Sequence, residues 1–212
     1  MWLESRSDDA LIAGANLAAL GDELFQFRDA EPLGGGRFRL SRLLRGRRGT
    51  EWAAGDHEAG DAFTLIDSAS LVVLEAPAGA VGGEARITAR GVGDDVEVSQ
   101  ALEIEGRALQ PPSPVHLTAR ETDAGDLEIG WVRRSRQGWA WLSGSEAPLG
   151  EESERYRLAI AGAGFQRIVA LSASPYLYTA AARAADGAGP LLISVRQSGT
   201  FALSRAASIA FE

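Results

Sequence analysis

Residues 110–136 read QPPSPVHLTARETDAGDLEIGWVRRSR, and the first five of them divide the chain. Pro111, Pro112 and Pro114 each fix φ and lack an N–H donor, so this stretch is extended and lies outside the interior of any sheet. It falls near the middle of the 212 residues, where the charge balance changes. Residues 1–110 hold 19 acidic side chains against 11 arginines, and residues 111–212 hold ten of each. A domain boundary is expected here, giving units of 1–109 and 110–212. Beyond the prolines, Val115 and Leu117 begin an alternating run and Asp123-Ala124-Gly125-Asp126 makes a turn. Leu127, Ile129 and Trp131 then share one face of a strand, which marks Trp131 as a core residue.

The same pattern continues to the C-terminus. Tyr156-Arg157-Leu158-Ala159-Ile160 alternates, as do residues 168–171, 191–197 (LLISVRQ) and 209–211. About seven short strands in about 100 residues suit a two-sheet sandwich. This half resembles a fibronectin type III-like domain, without the tyrosine usual in its penultimate strand. Before the boundary, short alternating runs sit between Gly-rich turns. Trp2-Leu3-Glu4-Ser5, 22–28 (DELFQFR), 37–40, 62–67, 71–74, 84–90 and 96–105 read as strands. In the second of these, Leu24 and Gln26 lie opposite Phe25 and Phe27. Only residues 9–20 (DALIAGANLAAL) have helical composition, and Gly14 and Asn16 weaken it. The expected fold class is mainly β: an N-terminal antiparallel β domain followed by a fibronectin type III-like β sandwich.

Composition narrows the function classes. The net charge of −8 argues against nucleic-acid binding, since phosphate affinity needs a cationic surface. All 21 basic residues are arginine and none of the 212 is cysteine, which excludes thiolate metal sites, thiol nucleophiles and disulfides. No run approaches 18 apolar residues and the start, MWLESRSDDA, lacks a signal pattern, so neither membrane insertion nor export is expected.

Six arginines cluster in residues 37–48: Arg37, Arg39, Arg42, Arg45, Arg47 and Arg48. With Gly46 and Gly49 beside them they could cradle an anion. They could equally form a solvent face, half of an interface with an acidic neighbour, or ion pairs within the fold. The segment lacks the Lys and trailing hydroxyl of a phosphate loop, which favours the latter readings. Arg45, Arg47 and Arg48 are the candidate binding residues here. Arg133, Arg134, Trp139 and Trp141 are the second group: Trp beside Arg suits a protein interface or stacking on a sugar ring, and burial of the two tryptophans within the sandwich is an equal alternative. His57, in GDHEAGD, has acidic neighbours. A hydrolytic zinc site needs about three protein ligands and His116 is the one other histidine, so His57 reads as a hydrogen-bonded turn residue. The acidic runs Asp8-Asp9 and 151–154 have no spacing that places two carboxylates across a bond. No catalytic motif, metal or cofactor is expected, and the chain is read as a non-enzyme.

Several stretches together resemble the C-terminal region of the tail-tip (baseplate hub, host-specificity) proteins of siphophages and gene transfer agents. They are ALIAGANLAALGDELFQF, RLSRLLRGRRGTEWAAGDHEAGDAFTLID, PPSPVHLTA with GDLEIGWVRRSR, PLGEESERY and the V-R-Q strand near the end. The resemblance implies a structural part of a virion tail tip, made in the bacterial cytoplasm and assembled as a homo-oligomer, a trimer, with other tail or baseplate proteins. It also implies contact with the host surface. A carbohydrate-binding module using Trp139 and Trp141 on a cell-surface glycan is the alternative. The long N-terminal portion usual in such proteins is absent from this sequence.

Overall fold

The structure, a computed structural model, describes residues 2–67, 69, 71–72, 75, 77–137 and 147–212. Expectations that fall on 73–74 and on Trp139 and Trp141 lie outside these residues.

Of the helical composition in residues 9–20, only the first part forms a helix, before the weakening Gly14 and Asn16. Helix α1 covers Asp8–Ile12, capped by Ser7, whose Oγ accepts the Ala10 N–H at 3.2 Å. It stops because Gly14 (φ 100°) and Asn16 (φ 55°) turn the chain into left-handed conformations. The Asn16 amide donates to the carbonyls of Glu4 and Phe27 and fixes that turn. The following LAAL segment, Leu17–Leu20, is therefore strand β1. Strands β2 (Glu23–Gly34), β3 (Arg37–Leu44) and β4 (Phe63–Leu65) complete an antiparallel sheet in the order β3-β2-β1-β4.

Trp2 to Ser5, read as a strand, pairs with no strand. The segment is nonetheless held to β2. Arg6 donates its N–H to the Arg28 carbonyl, and Ser5 Oγ accepts the Ala30 N–H. Leu3 joins Ala18, Phe25, Phe27 and Ala30 in the core of this half. Gln26 was expected on the face opposite the phenylalanines, yet it too is buried. Its amide donates to the carbonyls of Leu11 and Ala15, so α1 and its turn cover that second face.

Strands β5 (Glu84–Ala89) and β6 (Val98–Glu103) form a separate two-stranded antiparallel hairpin. Among the described residues, no strand pairing crosses 110–114.

The second half is a sandwich. Strands β7 (Val115–Glu121), β8 (Leu127–Val132) and β11 (Tyr176–Tyr178) form one sheet. Strands β9 (Tyr156–Gly162), β10 (Phe165–Leu171), β12 (Leu191–Gln197) and β13 (Ala207–Phe211) form the other, in the order β10-β9-β12-β13. The alternating residues of both sheets face inward, so Leu127, Ile129, Trp131, Tyr156, Leu158 and Ile193 share one core. Helix α2 (Ala180–Asp186) follows β11 directly. Tyr178 donates to Asp186 Oδ2 at 2.7 Å, and Arg167 of β10 grips the same carboxylate through two donors. That cluster joins β10, β11 and α2, in a sandwich whose penultimate strand carries no tyrosine. The protein is mainly β: an N-terminal antiparallel sheet followed by a fibronectin type III-like β sandwich.

Candidate functional site

The arginine–glycine block folds around one carboxylate. Glu23, at the start of β2, has a fully buried side chain. Arg45 approaches at the end of β3 and donates Nε to Oε1 at 2.7 Å and Nη2 to Oε2 at 2.6 Å, the paired fork geometry of a strong ion pair. The backbone N–H of Gly46 adds a third donor, to Oε1 at 2.8 Å. His57 closes the ring with Nε2 at 2.6 Å from Oε2. Arg45 also donates to the Ala54 carbonyl, tying the strand end to the loop that delivers His57.

Local backbone chemistry makes that closure possible. Gly46 has φ 60°, and a Cβ there would lie 2.6 Å from Glu51 Cα, so only glycine fits. Two single-turn 3-10 segments follow, Arg47–Gly49 and Glu51–Ala53. Thr50 pins them between: its Oγ1 accepts the Leu24 N–H at 2.9 Å and donates to the Arg47 carbonyl at 2.8 Å.

Charge follows from this geometry. Burial pushes the Glu23 carboxyl up, but the bonds from Arg45, His57 and Gly46 outweigh it and bring it from 4.5 down to about 2. Both His57 nitrogens face carboxylate oxygens, Glu23 on one side and Asp61 Oδ2 at 3.2 Å on the other. Only the doubly protonated ring can donate to both, and the Glu23 bond is the main cause that raises its pKa above 6.5. The histidine is a hydrogen-bonded structural residue, as its place in a turn suggests, and its two carboxylate partners favour the charged ring.

A pH dependence follows. The Glu23 contribution is full above about 4.5 and is lost as pH falls toward 2; the whole shift is worth about 3 kcal/mol. The His57 contribution is full below 6.5 and is lost as pH rises through its raised pKa. The urea midpoint of the N-terminal half should therefore peak between about pH 4.5 and 6.5. In His57→Asn the alkaline decline should vanish while the acid decline remains. An unchanged alkaline limb in that variant would refute the assignment.

The same block touches the sandwich. Trp52 meets two guanidinium groups, Arg205 at 3.7 Å and Arg107 at 5.6 Å from its ring centre. Arg134 pairs with Glu51 and donates Nε to the Ser113 carbonyl at 2.7 Å. Arg107 pairs with Asp22 at 2.6 Å. The sequence groups Arg134 with Arg133 and the tryptophans, and its local patterns do not single out Glu23, Trp52, Arg107 or Arg205.

Of the candidate binding residues, Arg45 is spent on Glu23. Burial lowers the pKa of Arg47, with Arg48 adding to it. Arg48 is exposed, in a left-handed conformation (φ 55°) at the mouth of a cleft between the halves. Arg133 donates Nη2 to the Ala147 carbonyl at 2.8 Å. The structure thus brings Arg48 and Arg134 to opposite sides of one joint, while Arg133 sits apart from it. No group of three or more acidic, histidine or cysteine side chains suited to a metal occurs among the described residues.

Comparison with known proteins gives three findings. No curated protein matches the chain. Among solved structures, the crystal structure of the rat CD45 extracellular region, domains d3–d4, aligns at 8% identity and a TM-score of 0.36. That alignment covers 86% of this chain and 93% of the other. Residues 1–64, which contain the whole arginine–glycine block and its Glu23 partner, match the family described as Rcc01698-like, C-terminal.

Proposed function

We propose that this chain is a structural component of a tail tip or baseplate of a gene transfer agent or a related phage. The observation that carries this reading is the match of residues 1–64 to the Rcc01698-like C-terminal family. The matched segment is the one in which Arg45, Gly46 and His57 close on Glu23. In that arrangement the two side chains best suited to acid–base or anion chemistry are engaged in holding the fold, which supports an architectural role. The partners proposed are other baseplate proteins and further copies of this chain.

The test is direct. Particles purified from the producing bacterium should contain the chain at a fixed ratio to the major tail proteins by quantitative mass spectrometry. Antibody labelling should place it at one end of the tail. Absence from purified particles, with no association with tail proteins in solution, would end this reading.

A further inference from the structure

We propose that the cleft between the two halves receives the acidic tip of the β5–β6 hairpin from a second copy of the chain. This head-to-tail contact rests on the assembly reading above. The cleft has a volume of about 960 Å³. Pro111, Pro112 and Pro114 give it an apolar wall, and Arg48, Arg196 and Arg205 give it charge. Its two acids are already engaged, Asp22 by Arg107 and Glu51 by Arg134. Arg48, Arg196 and Arg205 have no acidic partner among the described residues. The Arg205 guanidinium carbon lies over the Trp52 ring, 3.7 Å from its centre, and a guanidinium held on an aromatic face can still grip a carboxylate through two donors.

The hairpin has the complementary chemistry. Its turn, residues 91–97, reads GVGDDVE and carries three acids, with Arg90 at its base. Asp94 is used internally, accepting the Gly91 N–H at 2.7 Å. Asp95 and Glu97 are exposed and have no partner among the described residues. Val92, Val96 and Val98 stand beside them, each more than 70% exposed. Ala85, Ile87 and Ala89 share a face with Val98 and Leu102, and on it Ile87, Leu102 and Val98 are all exposed. A lone two-stranded hairpin is marginal in water, so this element needs a surface to cover it.

The chain's own tip does not occupy this cleft: among the described residues no bond joins Asp95 or Glu97 to Arg48, Arg196 or Arg205. The hairpin ends at Glu103, close in sequence to Arg107 at the cleft rim. Six extended residues separate the base of the hairpin from its tip by about 20 Å. Acidic tip and basic cleft, both present on one molecule and not joined within it, describe a heterologous contact, which closes into a ring or runs on as a filament.

Sedimentation equilibrium at about 0.05 M and about 0.5 M salt tests this, since screening shortens the reach of exposed charges. Wild-type protein should associate at low salt and dissociate at high salt. The pair Asp95→Arg/Glu97→Arg and the pair Arg48→Glu/Arg205→Glu should each weaken association by at least about tenfold. Mixing the two reversed proteins should restore it. The tip variant keeps the test sound if the cleft variant disturbs folding, because its side chains are solvent-exposed. A wild-type monomer at low salt, association unaltered by the tip reversal, or a mixture of two folded variants that fails to recover would overturn the proposal. A solution monomer found at fixed ratio in particles would overturn this contact alone, leaving the tail-tip reading in place.

Discussion

Glu23→Gln should destabilise the N-terminal half by about 3 kcal/mol, read as a lower urea midpoint at pH 6. Glutamine keeps the volume of the side chain and removes its charge. The difference between charged and neutral forms is what lowers the carboxyl to about 2. A fully buried ion pair broken on one side usually costs about 3–5 kcal/mol. Here Arg45 is 42% exposed and can regain water, which places the effect at the low end of that range. Arg45→Met should cost at least as much, because it leaves the enclosed carboxylate with only His57 and the Gly46 N–H. The double variant should then lose clearly less than the sum of the two, since the second change removes a group already stranded. Strict additivity, or a loss below about 1 kcal/mol for Glu23→Gln, would show that water rather than Arg45 balances this carboxylate.

What the sequence revealed was set by the range of the interaction concerned. The proline segment was readable because φ restriction is a property of single residues, and the alternation of β8 and β12 because a strand's inward face repeats every second residue. The end of α1 was signalled in the same local way by Gly14 and Asn16. The fate of Glu23 was not. In DELFQFR it looks like the polar start of a strand, and its partners Arg45 and His57 lie 22 and 34 residues away. The six arginines were visible as a cluster, but which one turns inward depends on Gly46 bending the chain at one point. Trp52 is the extreme case: its nearest cation, Arg205, belongs to the other half of the molecule. Strand β11, Tyr176–Tyr178, carries no such signal: it is three residues set directly between Pro175 and the Thr179 cap of α2. The alternation of DELFQFR places Gln26 opposite the phenylalanines, but what covers that face is α1 and its turn, 11 to 15 residues away in sequence, and no local pattern shows it.

Trp131→Ala should cost the sandwich about 3–5 kcal/mol, the range for removing a large aromatic side chain from a packed core. Trp131 is 5% exposed and sits edge-on to Tyr156, with ring centres 5.1 Å apart, between the two sheets. Its backbone N–H donates to Ser174 Oγ at 2.9 Å and would persist in the variant, so the loss belongs to packing. Trp131→Phe keeps an aromatic edge against Tyr156 and should cost much less, about 1–2 kcal/mol. Amide hydrogen exchange shows where the loss is felt. Protection should fall first in β8, β9 and β12, whose inward faces meet the indole. If the joint at Trp52, Arg107 and Arg205 transmits little, Phe25 and Phe27 should keep theirs. Equal loss in β2 would mean that the two halves unfold as one cooperative unit, with the guanidinium–tryptophan stack as the coupling. Unchanged protection in β9 and β12 would remove Trp131 from the centre of the sandwich core.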